Sequence, residues 1–277
     1  EPEFTMGEEG IPSNISIKKH LKTHELVEEF MLLANKVIAQ KFAEANEPLV
    51  YRNHSKPETD RLIALNGLLA QIGDYPPLSI SQEINASEFQ KLLDSITNIE
   101  TRHMVEMQLL RTMSKADYGL NNKGHFGLGF EHYCHFTSPI RRYPDIMVHR
   151  SLMNICDEDA TIMATSSTQS EILAMKAERE YNKIKQLRYL ENQNVKIHNG
   201  IVNGMTKRGL FIMLEDILVD GFIHAEWIDD DYYYFDESKY IFIGRRYKTK
   251  YRIGQKVQVK IRNISIVNLK LDLLLVA

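Results

Sequence analysis

Two adjacent arginines carry the most pointed chemistry in the chain. Arg141 and Arg142 follow Thr137-Ser138-Pro139 and precede Ile146, His149 and Met153 at helical spacing. A Ser or Thr ahead of Pro is a good helix entry, because the hydroxyl can cap free N–H groups and Pro tolerates the first turn. Free N–H groups and two guanidinium forks at one helix mouth form a seat for a phosphate. The other reading is that these arginines only pair with a nearby acid such as Asp145. Just upstream, small residues alternate with Phe126, Leu128 and Phe130, which predicts a strand open to close backbone approach. His132, Cys134 and His135 look like metal ligands. On a strand, however, 132 and 134 share a face, 135 points away, and no second pair at zinc spacing follows. Asp229-Asp230-Asp231 suggest magnesium, but beside Tyr232, Tyr233 and Tyr234 a solvated loop is the simpler reading.

The elements that must hold these residues follow from periodicity. Residues 1–22 predict a hairpin, with Phe4 and Met6, then Ile15 and Ile17, alternating around glycine turns. A chain opening inside a hairpin reads as a domain cut open. Leu26, Phe30, Leu33, Val37 and Phe42 predict an amphipathic helix over 24–45. Glu28 and Glu29 sit in its first turn, where the helix dipole favours carboxylates, and Asn35 lies two turns beyond Glu28, in a cleft or in solvent. Tyr51-Arg52-Asn53-His54 reads as a strand, Pro57 opens a helix through Leu69, and 81–97 and 98–114 read as two more. The spacing predicts a polar loop over 157–169 and a long helix from Ser170 to Glu191, its stripe running through Leu173, Ala177, Tyr181, Ile184 and Leu187 with Glu178 at the margin. A polar linker then gives way to five short glycine-separated strands and an insertion rich in Asp and Tyr, a small closed barrel of the OB type. The fold class is α+β, with a helix-rich part over 1–192 and the barrel over 193–277.

Composition narrows the setting. The chain has 277 residues, 43% hydrophobic and 26% charged, ordinary for a globular protein. Cys134 and Cys156 suggest no disulfide framework, which fits a reducing, cytoplasmic location. No apolar run nears the ~20 residues that span a bilayer, and the acidic opening lacks a secretory leader's pattern. Net charge is −3, yet Lys239 to Lys270 contains no acid. Such a segment is a possible footprint for a polyanion, or simply a solvated face.

The run G-H-F-G-L-G-F-x-x-Y-x-H-F-T-S-P-I-R-R-Y-P-D-x-x-V-H-R closely resembles the signature of the ribonuclease II / ribonuclease R family, near the end of its catalytic domain. E-L-V-E-E-F-M-L-L-A-N-K, Y-R-x-H, L-L-R-T-M-S-K-A-D-Y and K-A-E-R-E resemble further family segments, and the R-R-Y-P-D ending leans to the ribonuclease R type. From Gly200 onward the pattern resembles an S-one type RNA-binding barrel. The resemblance implies a processive 3′→5′ exoribonuclease that hydrolyses single-stranded RNA to nucleoside monophosphates with magnesium. It assigns Arg141, with Arg142 as the alternative, to steadying charge on the phosphate. It assigns Glu28 and Glu178 to orienting water, metal shell or terminal nucleotide, although a surface charge helix explains Glu178 equally well. Arg52 reaches RNA or serves structure. In the barrel, Phe211, Phe222 and His224 would stack bases beside Lys207 and Arg208.

One part of the family pattern is missing. Its magnesium ligands come from an aspartate motif resembling D-x-x-x-x-x-D-x-D-D early in the catalytic domain, and this sequence has no match to it. The chain thus reads as the C-terminal portion of an exoribonuclease, inactive alone, whose N-terminal portion is supplied in an intact product or as a separate chain. The alternative is a non-catalytic single-stranded RNA-binding protein on a degenerate nuclease scaffold.

Overall fold

A computed structural model describes residues 2–276 apart from 8–9, 19, 74, 81–83, 156–158, 194, 196 and 238–239. The expectations for Cys156, Lys239 and residues 157–158 lie outside the described residues. The chain opens with a two-stranded hairpin, β1 (Pro2–Met6) and β2 (Pro12–Ile17), as predicted, and continues into helix α1 (Lys22–Ala45). Strand β3 (Tyr51–Asn53) is followed by α2 (Thr59–Ile72), α3 (Ala86–Ser95) and α4 (Ile99–Thr112), and then by β4 (Asp117–Gly119), which pairs antiparallel with β3. Asn85 caps α3 through Ser87 N while Glu88 reaches back to Asn85 N, which satisfies N–H groups the helix cannot. Helix α5 (Tyr143–Leu152) and the 32-residue α6 (Ala160–Glu191) complete the helical part.

Two elements depart from expectation. Residues 126–130 are not a strand: Phe126–Leu128 form a single 3-10 turn, its Leu128 N–H taken by the His125 ring. A Cβ on Gly127 would lie 2.8 Å from Nδ1 of His54, so the small residues admit a histidine ring rather than a neighbouring strand. The polar loop over 157–169 is largely helix, because α6 begins at Ala160. Its hydroxyls bond back within the helix, Thr165 to Thr161 O at 2.9 Å, Ser167 to Met163 O at 2.7 Å and Thr168 to Ala164 O at 3.1 Å. Ser and Thr so bonded no longer compete with the helix backbone.

The barrel is closed by β5 (Ile197–Thr206), β6 (Gly209–Leu214), β7 (Val219–His224), β11 (Lys256–Ser265) and β12 (Lys270–Leu275), in the order β11-β12-β7-β6-β5. All neighbours are antiparallel except β12 and β7. Gly209 makes the tight β5–β6 turn with φ +150°, and a Cβ there would sit 1.9 Å from Ile223 O, which no other residue tolerates. The insertion folds as its own three-stranded sheet, β8 (Tyr233–Asp236), β9 (Ile241–Gly244) and β10 (Lys250–Arg252). One apolar core runs from the helices into the barrel, joining Leu62, Leu92 and Val105 through Leu187 to Leu210, Ile212 and Leu273. At that junction the Gln186 side-chain amide donates to Ile217 O at 2.7 Å and Leu218 O at 3.1 Å. Two smaller cores seat α1 and α5 on β3, through Ala39, Phe42, Tyr51 and Val148, and α6 beside them, through Tyr118, Met147 and Ala164.

The expected apolar stripes are fully buried only at their last residues, Phe42 of α1 and Leu187 of α6. On α1, Leu26, Phe30, Leu33 and Val37 are each more than half exposed, and on α6 so are Leu173 and Tyr181. Helix α1 is held by Phe42 together with Asn35 and Ala39, which lie off the stripe. These faces have the periodicity of a core but no core within the described residues.

Candidate functional site

The predicted arginines meet in one polar centre, and it treats them differently. Arg142 stands at the mouth of α5 and is locked to Asp145, Nε to Oδ2 at 2.8 Å and a terminal nitrogen to Oδ1 at 2.8 Å. Asp145 is fully buried and also accepts Ser138 N–H at 2.7 Å. The expected hydroxyl cap is absent: the amides of Arg141 and Arg142 both donate to Ser138 O, and the helix starts only with Pro144 in its first turn. Those N–H groups are therefore not available to a phosphate. What the turn presents is the Arg141 guanidinium, exposed and without an ion pair among the described residues, next to a fully exposed Ile140. The Thr137 hydroxyl is buried beside it with no hydrogen-bond partner.

Two strands, β3 and β4, and two helices, α1 and α6, contribute further side chains to this centre. Asn35 is buried, neither lining an open cleft nor in solvent: its amide donates to Tyr133 Oη at 3.0 Å and accepts Phe136 N–H at 2.9 Å. Arg52 clamps Glu171 of α6 with both terminal nitrogens, at 2.6 and 3.0 Å, and lies 4.6 Å from the centre of the Tyr118 ring. Its side chain is 13% exposed, so it holds α6 against β3–β4. The three metal-like side chains go to three partners: His132 to Asn122, the Cys134 thiol to Asn35 O at 3.3 Å, and His135 Nδ1 to Tyr118 Oη at 2.8 Å. Burial pushes the Cys134 thiol up to about 12, which removes it as a nucleophile at neutral pH.

The same burial sets the charge of the centre. His135 is pushed down to about 2, by desolvation and then by Arg142 and Arg52, and His125 down to about 4, by desolvation and then by His54 and Arg52. Both rings are neutral when folded at neutral pH, so neither adds to the positive charge of the arginines. A depressed histidine pKa means that the unfolded chain binds the proton first. Stability from these rings is complete above pH ~6.5 and is lost as pH falls from there, through about 4 for His125 and about 2 for His135. Urea midpoints should fall between pH 7 and pH 4.5 by the equivalent of roughly 2 kcal/mol for each ring. An unchanged midpoint would mean the rings accept protons freely in place.

Glu28 and Glu178 stand apart from this centre, on the two long helices. Glu28 is exposed, seven residues before Asn35, with His20 Nε2 3.7 Å away. Glu178 is exposed, seven residues after Glu171. Each lies ~10 Å along its helix from its anchor in the centre. Both helices share a second anchor. The β1–β2 hairpin leads directly into α1, and α6 returns to it, Lys185 Nζ donating to Gly10 O at 2.8 Å. The two carboxylates are exposed, and neither joins the arginine centre; each lies on a helical stretch that also carries bare apolar side chains.

The barrel residues fall together in one groove of about 940 Å³, which includes Phe211, Phe222, His224, Lys207 and Arg208. Phe211 lies opposite Phe222 in the β6–β7 register, their rings 4.8 Å apart. Phe222 and His224 follow at 4.9 Å, and His224 and Trp227 at 4.6 Å. Arg262 lies 4.0 Å over the Trp227 ring. Trp227 and Arg262 extend the ladder, and no local pattern announces them because 35 residues separate them. Lys183 of α6 lines the far side of the groove. These rings meet tilted or edge to face rather than stacked on one another, and aromatic faces beside cations are the kind of surface on which unpaired bases can stack.

Comparison with known proteins agrees with this arrangement. Residues 1–158 match the RNB domain model. Ribonuclease R of Escherichia coli is 29% identical over all of this chain, which spans 36% of that protein, and ribonuclease R of Thermotoga maritima is 31% identical, with 40% spanned. The structure of Mycoplasma genitalium RNase R in complex with ribose methylated single-stranded RNA superimposes with a TM-score of 0.88 at 26% identity, covering the whole chain and 45% of its own. The chain spans less than half the length of these relatives. With most of its helical part matched by that model, the chain belongs to the RNB domain family.

Proposed function

We propose that this chain is the C-terminal portion of a 3′→5′ exoribonuclease acting on single-stranded RNA, supplying the grip on the strand and the arginine that neutralises the phosphate under attack. The observation that carries this reading is the contrast between the paired arginines, with Arg142 fixed to Asp145 and Arg141 left free at the turn. A guanidinium held at a fixed place and not neutralised by the protein suits a phosphate whose charge grows in the transition state. The Thr137 hydroxyl beside it can donate to a phosphate oxygen. Glu28 and Glu178 orient the water or the terminal nucleotide from the two flanking helices. Residues 1–192 act as the catalytic portion and 193–277 as the RNA-binding barrel.

Magnesium does not fit this chain's residues by themselves. Among the described residues no three His, Cys, Asp or Glu side chains come together to hold a metal ion, and magnesium requires several oxygen ligands. Its ligands belong to an upstream portion, carried on the same product or a separate chain. The bare faces of α1 and α6 are where that portion would pack. No helix among the described residues is long and apolar enough to cross a membrane, and a cytoplasmic site of action suits an RNA substrate.

The test uses the chain as it stands. With a labelled single-stranded oligonucleotide it should bind weakly and with strong salt dependence, and release no mononucleotide when magnesium is added. Changing Phe211 and Phe222 together to Ala should weaken binding at least ~30-fold, at roughly 1–3 kcal/mol for each of two lost stacks. Vigorous hydrolysis by the isolated chain would overturn the assignment of the metal ligands. Absence of any RNA binding would overturn the reading of the barrel.

A further inference from the structure

The insertion between β7 and β11 plays no part in the reading so far, yet it carries the densest positive charge in the chain. Residues 245–252 read R-R-Y-K-T-K-Y-R, five cations with no acid. Its sheet has two unlike faces. Tyr233, Phe242 and Tyr251 point inward, with Tyr233 stacked on Phe242 at 5.6 Å and tilted against Tyr251 at 5.5 Å. Tyr234 and Lys250 flank Ile243 on the other face. At the open end, Tyr232 is 83% and Tyr247 58% exposed. The Arg246 guanidinium lies 5.0 Å over the Tyr247 ring. Among the described residues, Arg245, Arg246, Lys248, Lys250 and Arg252 form no ion pair with a carboxylate, whereas Lys207 pairs with Glu237 and Lys256 with Glu215.

The turn that presents these groups is built through its backbone. The Asp231 carboxylate accepts Arg246 N–H at 2.7 Å, Tyr247 N–H at 2.7 Å and Tyr232 N–H at 2.6 Å. These bonds hold its pKa below the ordinary value although it is exposed. The side chains of Arg245, Arg246, Tyr247 and Lys248 are not part of that scaffold and are left facing water. Exposed tyrosines interleaved with unpaired cations on a rigid turn are the makings of a single-strand contact.

The turn also continues an existing surface. The ladder Phe211–Phe222–His224–Trp227 ends at Trp227, and the next hollow, about 520 Å³, is lined by Ala225, Ile228, Tyr232, Tyr233 and Arg246. Glu226, Asp229, Asp230 and Asp231 line it too. Asp231 is engaged by the turn, and Asp230 accepts the Tyr233 hydroxyl at 3.0 Å. Carboxylates on this side repel phosphates and accept from base amino groups. A strand crossing the hollow would therefore run its backbone along the Arg245–Lys248 edge.

We propose that the 245–252 turn is a second RNA contact, outside the barrel groove, where Arg245, Arg246 and Lys248 hold phosphates and Tyr247 stacks a base. This rests on the proposed RNA-binding reading, and the experiment separates the two. Binding by the 277-residue chain is measured with oligouridylates of about 6 nucleotides, within the reach of one OB barrel, and of about 20 nucleotides, long enough to go beyond it. The Arg245→Gln, Arg246→Gln, Lys248→Gln triple variant should bind the long probe ~10-fold more weakly. Its plot of log affinity against log salt should be shallower by about 2, from three phosphates at about 0.7 each. The short probe should bind unchanged. Tyr247→Ala should weaken the long probe ~5–100-fold, the size of one lost stack, with the salt slope unaltered. Phe222→Ala should weaken both probes. If both turn variants bind the long probe like the unaltered chain while Phe222→Ala does not, this inference falls and the barrel reading stands. If the unaltered chain binds neither probe, both fall. Vesicles with anionic lipid are the control: loss of vesicle binding in the triple variant with RNA binding intact would make the turn a membrane contact and overturn the proposal. The unaltered thermal midpoint expected of each variant follows from the backbone scaffold.

Discussion

Joined to the upstream portion proposed to hold the magnesium ligands, the chain with Arg141→Ala should hydrolyse single-stranded RNA ~10²–10³-fold more slowly while binding it nearly as well as before. That factor is the usual effect of removing one preorganised donor to developing charge, about 3–4 kcal/mol. Arg141 is exposed and unpaired, so its removal opens no cavity and strands no buried partner, and a fall in turnover reads directly on chemistry. Steady-state kinetics separate the cases. A drop in kcat with KM little changed marks an interaction made in the transition state. A rise in KM with kcat constant would make Arg141 a simple anchor for the strand and remove its catalytic role. Hydrolysis that fails even with Arg141 present would favour the alternative of an RNA-binding protein on a nuclease scaffold.

Its neighbour should behave in the opposite way. Asp145→Ala should destabilise the chain by roughly 3–5 kcal/mol, the cost of stranding one member of a buried ion pair. Asp145 is fully buried and receives two nitrogens of Arg142 and the amide of Ser138. Without it a guanidinium only 20% exposed has no counter-charge, and the turn that carries Arg141 loses its internal tie. For a fold with ~5–15 kcal/mol in all, such a loss is large. Urea denaturation measures it, and replacing Arg142 and Asp145 together with leucines should recover much of it. A loss below ~1 kcal/mol would rank the pair with ordinary surface salt bridges.

The sequence left the arginines open between two uses, a phosphate seat and a pair with Asp145, and the structure shows Arg142 in the pair and Arg141 with no ion pair among the described residues. Spacing alone cannot make that division, since it depends on which guanidinium the buried carboxylate meets. Period and glycine placement reveal α2 and the five barrel strands through a local pattern their own packing uses, and they reveal α1, α4 and α5 although the packing there uses partly other residues. The 160–169 segment misleads because its hydroxyls satisfy themselves inside the helix. The 126–130 segment misleads because its glycines make room for the ring of His54, more than 70 residues away. Asn35 is the clearest case of information absent from local sequence. Polar and on an apolar helix, it is buried because Tyr133 and Phe136, nearly 100 residues later, complete its bonds. The stripes on α1 and α6 are read correctly as apolar, and their exposure could be learned only from three dimensions.

Helix α6 has one more consequence. It is a single rod joining Glu171, gripped by Arg52, to Lys183, which borders the barrel groove. Those residues are twelve apart, ~18 Å of rise. A rod pinned at both ends is a ruler: any polymer threaded from barrel to arginine meets a stride fixed by covalent geometry, and adding a single residue would lengthen it by only ~1.5 Å while swinging its far end by ~100°. Phase, more than length, is what this ruler keeps.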